Sequence, residues 1–272
     1  MIDDEGDKFR MPDYGVWGDG DWTVFLLHGG YGSKDYWLPQ VKSLVNEGFR
    51  VIAWDTPGYG ISPLPKANYS IEFMADRFIA LLDKEGAPNG QNILLGHSMG
   101  GLIAPRVVVE RADSVKGLVI SSTVESLGHT DPEYQANFIA ERLGPLEAGL
   151  TLKESVPVLM TKMMGPTSEG PAVDLVLKVT AETPDETFKS ALKAIVAYDG
   201  RMALQACSTP TLCVAGELDP VGKPEMMQQL AEKVNGEFIC IPGVAHYGWA
   251  EKPGAFNDAF RAFFNRINGQ AT

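Results

Sequence analysis

The sequence predicts an α/β fold: a doubly wound, mostly parallel sheet with an inserted helical cap. Three observations predict it. Residues 23–27, 51–54, 92–95, 117–120, 211–214 and 238–241 form short, continuously apolar runs without strict alternation, as in strands covered on both faces. Helical patterns with their own start and stop residues lie between most of these runs, which implies right-handed crossovers. Residues 123–198 break the alternation, with helical periodicity and no strand signal. The expected organisation is a core of residues 1–122 and 199–272, with a cap at 123–198.

Taken in order, the first run, 23–27, ends in the glycine-rich loop His28-Gly29-Gly30-Tyr31-Gly32, and a helical pattern at 38–46 stops before Gly48. The run 51–54 opens into Asp55-Thr56-Pro57-Gly58-Tyr59-Gly60-Ile61-Ser62, a Pro/Gly turn whose carboxylate is expected to fix loop amides. Ser70 precedes the pattern at 71–84 and Gly86 follows it. After 92–95 comes Gly96-His97-Ser98-Met99-Gly100, leading into a helix that contains Pro105. Proline inside a helix costs about 3 kcal/mol or produces a kink. Four helical patterns, at 133–143, 152–164, 173–180 and 186–197, fill the cap. The run 211–214 leads to Gly216-Glu217-Leu218-Asp219-Pro220. A helix at 225–234, the run 238–241, the loop Pro242 to Trp249 and a helix at 255–267 complete the chain.

Bulk properties bound the partners. A length of 272 residues, 44% hydrophobic and 21% charged, is ample for a buried core. The net charge of −12, with no basic cluster, opposes binding to a phosphate backbone, so nucleic acid is excluded as an expected partner. Residues 1–7 are acidic and lack the pattern of a secretory signal, and no apolar stretch reaches transmembrane length. Three cysteines, Cys207, Cys213 and Cys240, cannot all pair. A cytoplasmic, reduced protein with no membrane partner is the simplest expectation. No metal-ligand spacing or cofactor motif is visible, and none is expected.

The chemistry converges on strand ends. Gly96-His97-Ser98-Met99-Gly100 reads as a nucleophile elbow, a tight strand-to-helix turn that projects a serine hydroxyl above the sheet. Alone it is a moderate signal; its setting between an apolar run and a helix strengthens it. A serine hydroxyl needs a base, and the base needs an orienting acid. Of the four histidines, His28 is expected to structure its loop, His97 to point away from the hydroxyl and His129 to begin the cap. His246 is therefore the expected base. Asp219 is the favoured acid, with Glu217 and then Glu125 as alternatives. An oxyanion would be met by the Met99 amide and that of Gly30 or Tyr31. Trp37, Met160, Met163, Met164 and Trp249 are candidate pocket residues.

These motifs together resemble the α/β-hydrolase fold superfamily, in particular its small capped esterase-like and haloperoxidase-like enzymes. The resemblance runs from Phe25 to Phe264. Its carriers are His28-Gly29-Gly30, Asp55-x-x-Gly58-x-Gly60-x-Ser62, the pentapeptide with Gly101, Gly216-x-x-Asp219 and the His246 loop ending in Glu251-Lys252-Pro253. It implies cofactor-free hydrolysis of an ester or lactone on a small to medium, largely apolar molecule. Ala245 departs from the glycine usual before the histidine, and the first hairpin looks short. Ser98 stands where dehalogenases and epoxide hydrolases of this fold carry Asp. Amide, C–C bond or perhydrolase chemistry, or a ligand-binding receptor on the same scaffold, are the alternatives.

Overall fold

Alternate residues of each central strand feed two different cores. The computed structural model describes residues 11–269, so the reading of residues 1–7 lies outside the described residues. The strands are β1 (Tyr14–Trp17), β2 (Thr23–Leu27), β3 (Arg50–Trp54), β4 (Asn92–His97), β5 (Gly117–Ser121), β6 (Thr211–Gly216) and β7 (Glu237–Ile241). Phe25, Leu27, Ile52, Trp54, Leu94, Leu118 and Ile120 face one core. Val24, Leu26, Val51, Ala53, Ile93, Leu95 and Val119 face the other. A strand with both faces buried has no polar positions, and this is why the runs read as continuous.

Helices α1 (Leu38–Asn46), α2 (Ile71–Glu85), α3 (Met99–Glu110), α9 (Pro224–Lys233) and α11 (Pro253–Ile267) cover the sheet. The first core takes Met74, Phe78, Ile103, Val107, Met227 and Leu230 from α2, α3 and α9. The second takes Val41, Leu44, Phe256, Phe260 and Phe263 from α1 and α11. The Ser70 side chain accepts from the Phe73 amide and starts α2. Pro105 lies inside α3 without ending it. Its missing N–H forfeits one helical hydrogen bond, but nine of the twelve residues of α3 are buried, and tertiary packing overrides the local preference.

The strand order is β1-β3-β2-β4-β5-β6-β7, with β1 antiparallel to β3 and the other neighbours parallel. From β2 the chain steps outward to β3 and then returns to the other side of β2 as β4. That reversal leaves a crevice beyond the carboxyl ends of β2 and β4, where ligands bind in open α/β sheets. The His28 loop and Ser98 emerge there, side by side, because Leu27 is in register with Gly96.

Between β5 and β6 run α4 (Pro132–Glu147), α5 (Leu152–Met163), α6 (Pro171–Glu182), α7 (Asp185–Ala197) and the short α8 (Arg201–Ala206), which the periodicity did not disclose. Asp131 caps α4, and Thr151 with Glu154 forms a reciprocal capping box on α5. A further turn of helix, α10 (Gly248–Glu251), precedes α11.

Candidate active site

Ser98 is one of four non-glycine residues with positive φ among the described residues, at φ 52° and ψ −114°. Such a conformation costs on the order of 1–3 kcal/mol and persists only where surroundings enforce it. Here the Ser98 amide donates to the Ser121 carbonyl at 2.9 Å, and Thr123 Oγ1 donates to the Ser98 carbonyl at 2.7 Å. The flanking glycines answer to close packing. A Cβ on Gly96 would lie 2.3 Å from the Gly100 oxygen, and one on Gly100 would lie 2.3 Å from the Leu27 oxygen.

His246 and Asp219 meet across the ends of β6 and β7. His246 Nδ1 lies 3.0 and 3.1 Å from the two Asp219 carboxylate oxygens, with both residues buried. The amides of Val221 and Gly222 donate to Asp219 Oδ1 at 2.8 and 3.1 Å. Burial pushes the Asp219 carboxyl up, but His246, the Val221 amide and the Ser122 side chain outweigh it, and the group lies below the ordinary carboxylate range. With Nδ1 committed to the carboxylate, the other edge of the ring is left for the cavity that Ser98 and His246 both line. Asp219 and His246 are thus hydrogen-bonded, whereas Ser98 and His246 meet as walls of one chamber. Hydrogen bonds to a nucleophile are often loose before substrate binds.

The other acids and histidines have different partners. Glu217 accepts from the Gly243 amide at 2.7 Å, and Glu125 pairs with Lys233. Neither of these two alternatives bonds His246. Asp55 accepts from the Lys34 amide and Nζ, both at 2.7 Å, and so fixes a loop as its sequence suggests. His28 Nε2 accepts from the Thr56 amide at 3.0 Å, which places the proton on Nδ1, 2.8 Å from the Gly29 carbonyl. Burial lowers its pKa to about 4. His97 is buried with its ring 4.8 Å from that of His246; burial, then the neighbouring imidazole, hold it well below the ordinary histidine value. His129 is exposed.

The His28 loop is held from several sides. The Gly29 amide donates to Tyr36 Oη at 2.7 Å, Tyr59 Oη donates to the Gly30 carbonyl at 2.9 Å, and Thr180 Oγ1 of α6 donates to the Tyr31 carbonyl at 3.1 Å. The Gly30 and Tyr31 carbonyls being engaged, their amides have no acceptor among the described residues. Gly30, Tyr31 and Met99 all line the chamber beside Ser98. Met99 opens α3, where helix amides lack intrahelical partners.

The pocket expectations fare unevenly. The chamber holds about 50 Å³, and besides the residues above it is walled by Leu102, Phe138, Arg142, Met163, Phe188, Leu192, Ile195 and Val221. Met163 is therefore on the wall. Trp37 and Trp249 are not: they are fully buried beneath the site, their rings 4.4 Å apart, because the indoles pack into the second core. Met160 is buried in that same core, and Met164 packs against it, so neither lines the chamber.

Glu251 is the residue whose importance the sequence concealed. Its carboxylate accepts from the amides on either side of His246, Ala245 at 3.1 Å and Tyr247 at 2.9 Å, and from Gly165 N–H and Ser168 Oγ just beyond α5. The His246 amide itself donates to the Met163 carbonyl at 3.0 Å. The histidine loop is thus tied to the end of α5. Its sequence, Glu251-Lys252-Pro253, was visible, but nothing local announced four acceptor contacts.

Among the described residues, no cluster of three or more His, Cys, Asp or Glu is arranged to hold a metal ion, and no helix is long and apolar enough to cross a membrane. Fold and site together define a hydrolase built on a strained serine at a sheet's switch point. The α/β-hydrolase fold model matches residues 23–253, and the chain belongs to that family. It is 28% identical over 259 residues to 3-oxoadipate enol-lactonase 2 of Acinetobacter baylyi, covering 94% of this chain and 93% of that one. It is 25% identical to a pimeloyl-[acyl-carrier protein] methyl ester esterase of Neisseria meningitidis, over 90% of this chain and 77% of that one. A thermophilic esterase from Thermogutta terrifontis superposes with a TM-score of 0.79 at 26% identity, covering 94% of this chain and 93% of that one.

Proposed function

We propose that this protein is a cofactor-independent serine hydrolase that cleaves a carboxylic ester or lactone through an acyl-enzyme on Ser98. The Asp219–His246 pair at 3.0 Å, opening onto the chamber lined by Ser98, is the observation that carries the reading. Similarity to the enol-lactonase and methyl ester esterase named above supports the ester and lactone class.

Ser98 Oγ attacks the carbonyl carbon while His246 takes its proton, and Asp219 holds the imidazole and stabilises the imidazolium. The developing oxyanion meets the Met99 amide and the Gly30 or Tyr31 amide; removal of one such donor typically costs ~10²–10³ in rate. His246 returns the proton to the leaving alkoxide, or to the ring oxygen of a lactone. Water, activated by the same imidazole, attacks the acyl carbon, and its proton passes through His246 back to Ser98 as the acid departs. Helices α4 to α7 act as the cap, and the reaction is placed in the cytoplasm.

Intact-protein mass spectrometry after treatment with a fluorophosphonate, alongside hydrolysis of a graded series of p-nitrophenyl esters, tests this reading. One adduct per chain is expected, with labelling and turnover both absent in Ser98→Ala. A folded wild type that neither labels nor turns over any ester overturns it.

A further inference from the structure

The chamber opens toward a second cavity of about 580 Å³ on the outer side of α4 and α5, and Tyr31, Arg142, Met163 and Val221 wall both. The junction holds an unusual pair of polar groups. The Arg142 side chain is only 18% exposed; it lies with its guanidinium carbon 3.4 Å from the centre of the Phe138 ring, and Nη1 donates to the Phe138 carbonyl at 3.0 Å. Both contacts come from one turn back on α4, so the planar fork is held in place before any ligand arrives. Its carboxylate neighbour is Glu141, 3.7 Å away and 77% exposed, a geometry in which an ion pair contributes little. Beside it the Tyr31 hydroxyl is buried with no hydrogen-bond partner among the described residues, while its ring stacks on Phe188 at 4.5 Å.

A half-buried cation with donors to spare and a buried orphan hydroxyl are costly to keep unless something supplies acceptors. The other charged groups of the outer cavity do not. Glu154 is committed to the amide and hydroxyl of Thr151 at 2.8 and 2.7 Å, and Lys162 is a second cation. Apolar side chains, Leu150, Leu152, Val158 and Leu159 among them, make up most of the remaining wall.

We propose that the substrate carries a carboxylate, separated from the scissile carbonyl by an apolar spacer, and that Arg142 with the Tyr31 hydroxyl binds it where the chamber meets the outer cavity. The assignment rests on the ester or lactone reading for the reaction, but not for the binding. A guanidinium fork suits the two oxygens of a carboxylate, and the tyrosine hydroxyl adds one further donor. The small chamber then receives the carbonyl, and the Arg142 and Tyr31 donors at its mouth set the register.

The test compares mono-p-nitrophenyl esters of the dicarboxylic acids from succinic to pimelic with p-nitrophenyl esters of the monocarboxylic acids of equal carbon number. Expected is a kcat/KM ratio, charged over neutral, of about 10 or more at the best spacer length. In Arg142→Met that ratio falls about 10–100-fold, chiefly through KM; Arg142→Lys recovers part of it and Tyr31→Phe loses less. A ratio that is the same in Arg142→Met as in wild type overturns the assignment, as does a loss of equal size on both substrates. Calorimetry of Ser98→Ala with monomethyl adipate and with methyl hexanoate separates the two proposals. Arg142-dependent binding of the charged ester without turnover by wild type keeps the carboxylate subsite and removes the hydrolase reading. Turnover of neutral esters at Ser98 without charge preference does the reverse.

Discussion

The floor of the chamber hangs from strand ends, whereas its walls hang from the helices between β5 and β6, and the two are held by different forces. Ser98, His246 and Asp219 are fixed by short polar contacts to neighbouring strands and loops, among them Ser121, Thr123, Val221 and Gly222. Phe138, Phe188 and Leu192 are held by packing in a small cluster with Tyr31 and Leu143, while Met163 belongs to the second core and Ile195 packs against the first. Hydrogen bonds define position to tenths of an ångström; apolar packing defines volume and tolerates exchange. In the proposed function the floor sets the reaction and the walls set what enters. Glu251 and the Met163 carbonyl join the two halves at the histidine loop.

Substitutions in the floor are expected to give the largest effects. Ser98→Ala should lower kcat by about 10⁴-fold or more, and Asp219→Asn by about 10³–10⁴-fold, the second without a matching rise in KM. Steady-state kinetics on one ester checks both; a change confined to KM would place these residues in binding instead.

The floor is also the acid-sensitive half. The folded-state pKa of His28, about 4, lies below the ordinary 6.5, so between those values the unfolded chain takes up a proton that the folded chain refuses. Stability then falls as pH drops from 6.5 toward 4, by about 3 kcal/mol for this residue. His97 adds to the same limb with the same sign. Urea unfolding across this range should show a shallower pH slope in His28→Gln; an unchanged slope would remove His28 as its source.

The joint between the halves comes next. Glu251→Gln replaces an acceptor of amides from two segments and is expected to cost about 2 kcal/mol, with kcat reduced alongside the midpoint of unfolding. A stable variant with unaltered kcat would show that the histidine loop does not need this tie. The smallest effect belongs to the wall. Leu192→Ala should shift the preferred acyl length upward, with kcat/KM on longer esters changed by about 10-fold relative to short ones and Ser98 labelling retained.

The difference between floor and wall also explains how much could be read from sequence. The central strands bury both faces and so read as continuous apolar runs, which made β2, β4, β5 and β6 legible to within a residue or two; Ser98 and Asp219 follow β4 and β6, and His246 follows β7. β1 is short and pairs on one side only, with Tyr14 to Trp17 opposite β3, and so carries little signal. The wall is a matter of which face of α4, α5 or α7 turns inward, and that depends on tertiary packing. Met163 and Met160 illustrate this: three residues apart on α5, both are buried in the second core, yet Met163 also reaches the chamber wall and Met160 does not. Arg142 carries no signal in the sequence, since its stacking on Phe138 and its place beside Tyr31 are properties of the assembled fold.

The central claim, chemistry through a covalent acyl group on Ser98, is tested most directly by rapid-quench hydrolysis of a p-nitrophenyl ester, followed by peptide mapping. A burst of p-nitrophenolate approaching one equivalent, with the acyl mass on the peptide containing Ser98, is expected whenever deacylation is the slower step, and His246→Ala should form and release that adduct far more slowly. Acylation on a different residue, or turnover that survives intact in Ser98→Ala, would contradict it.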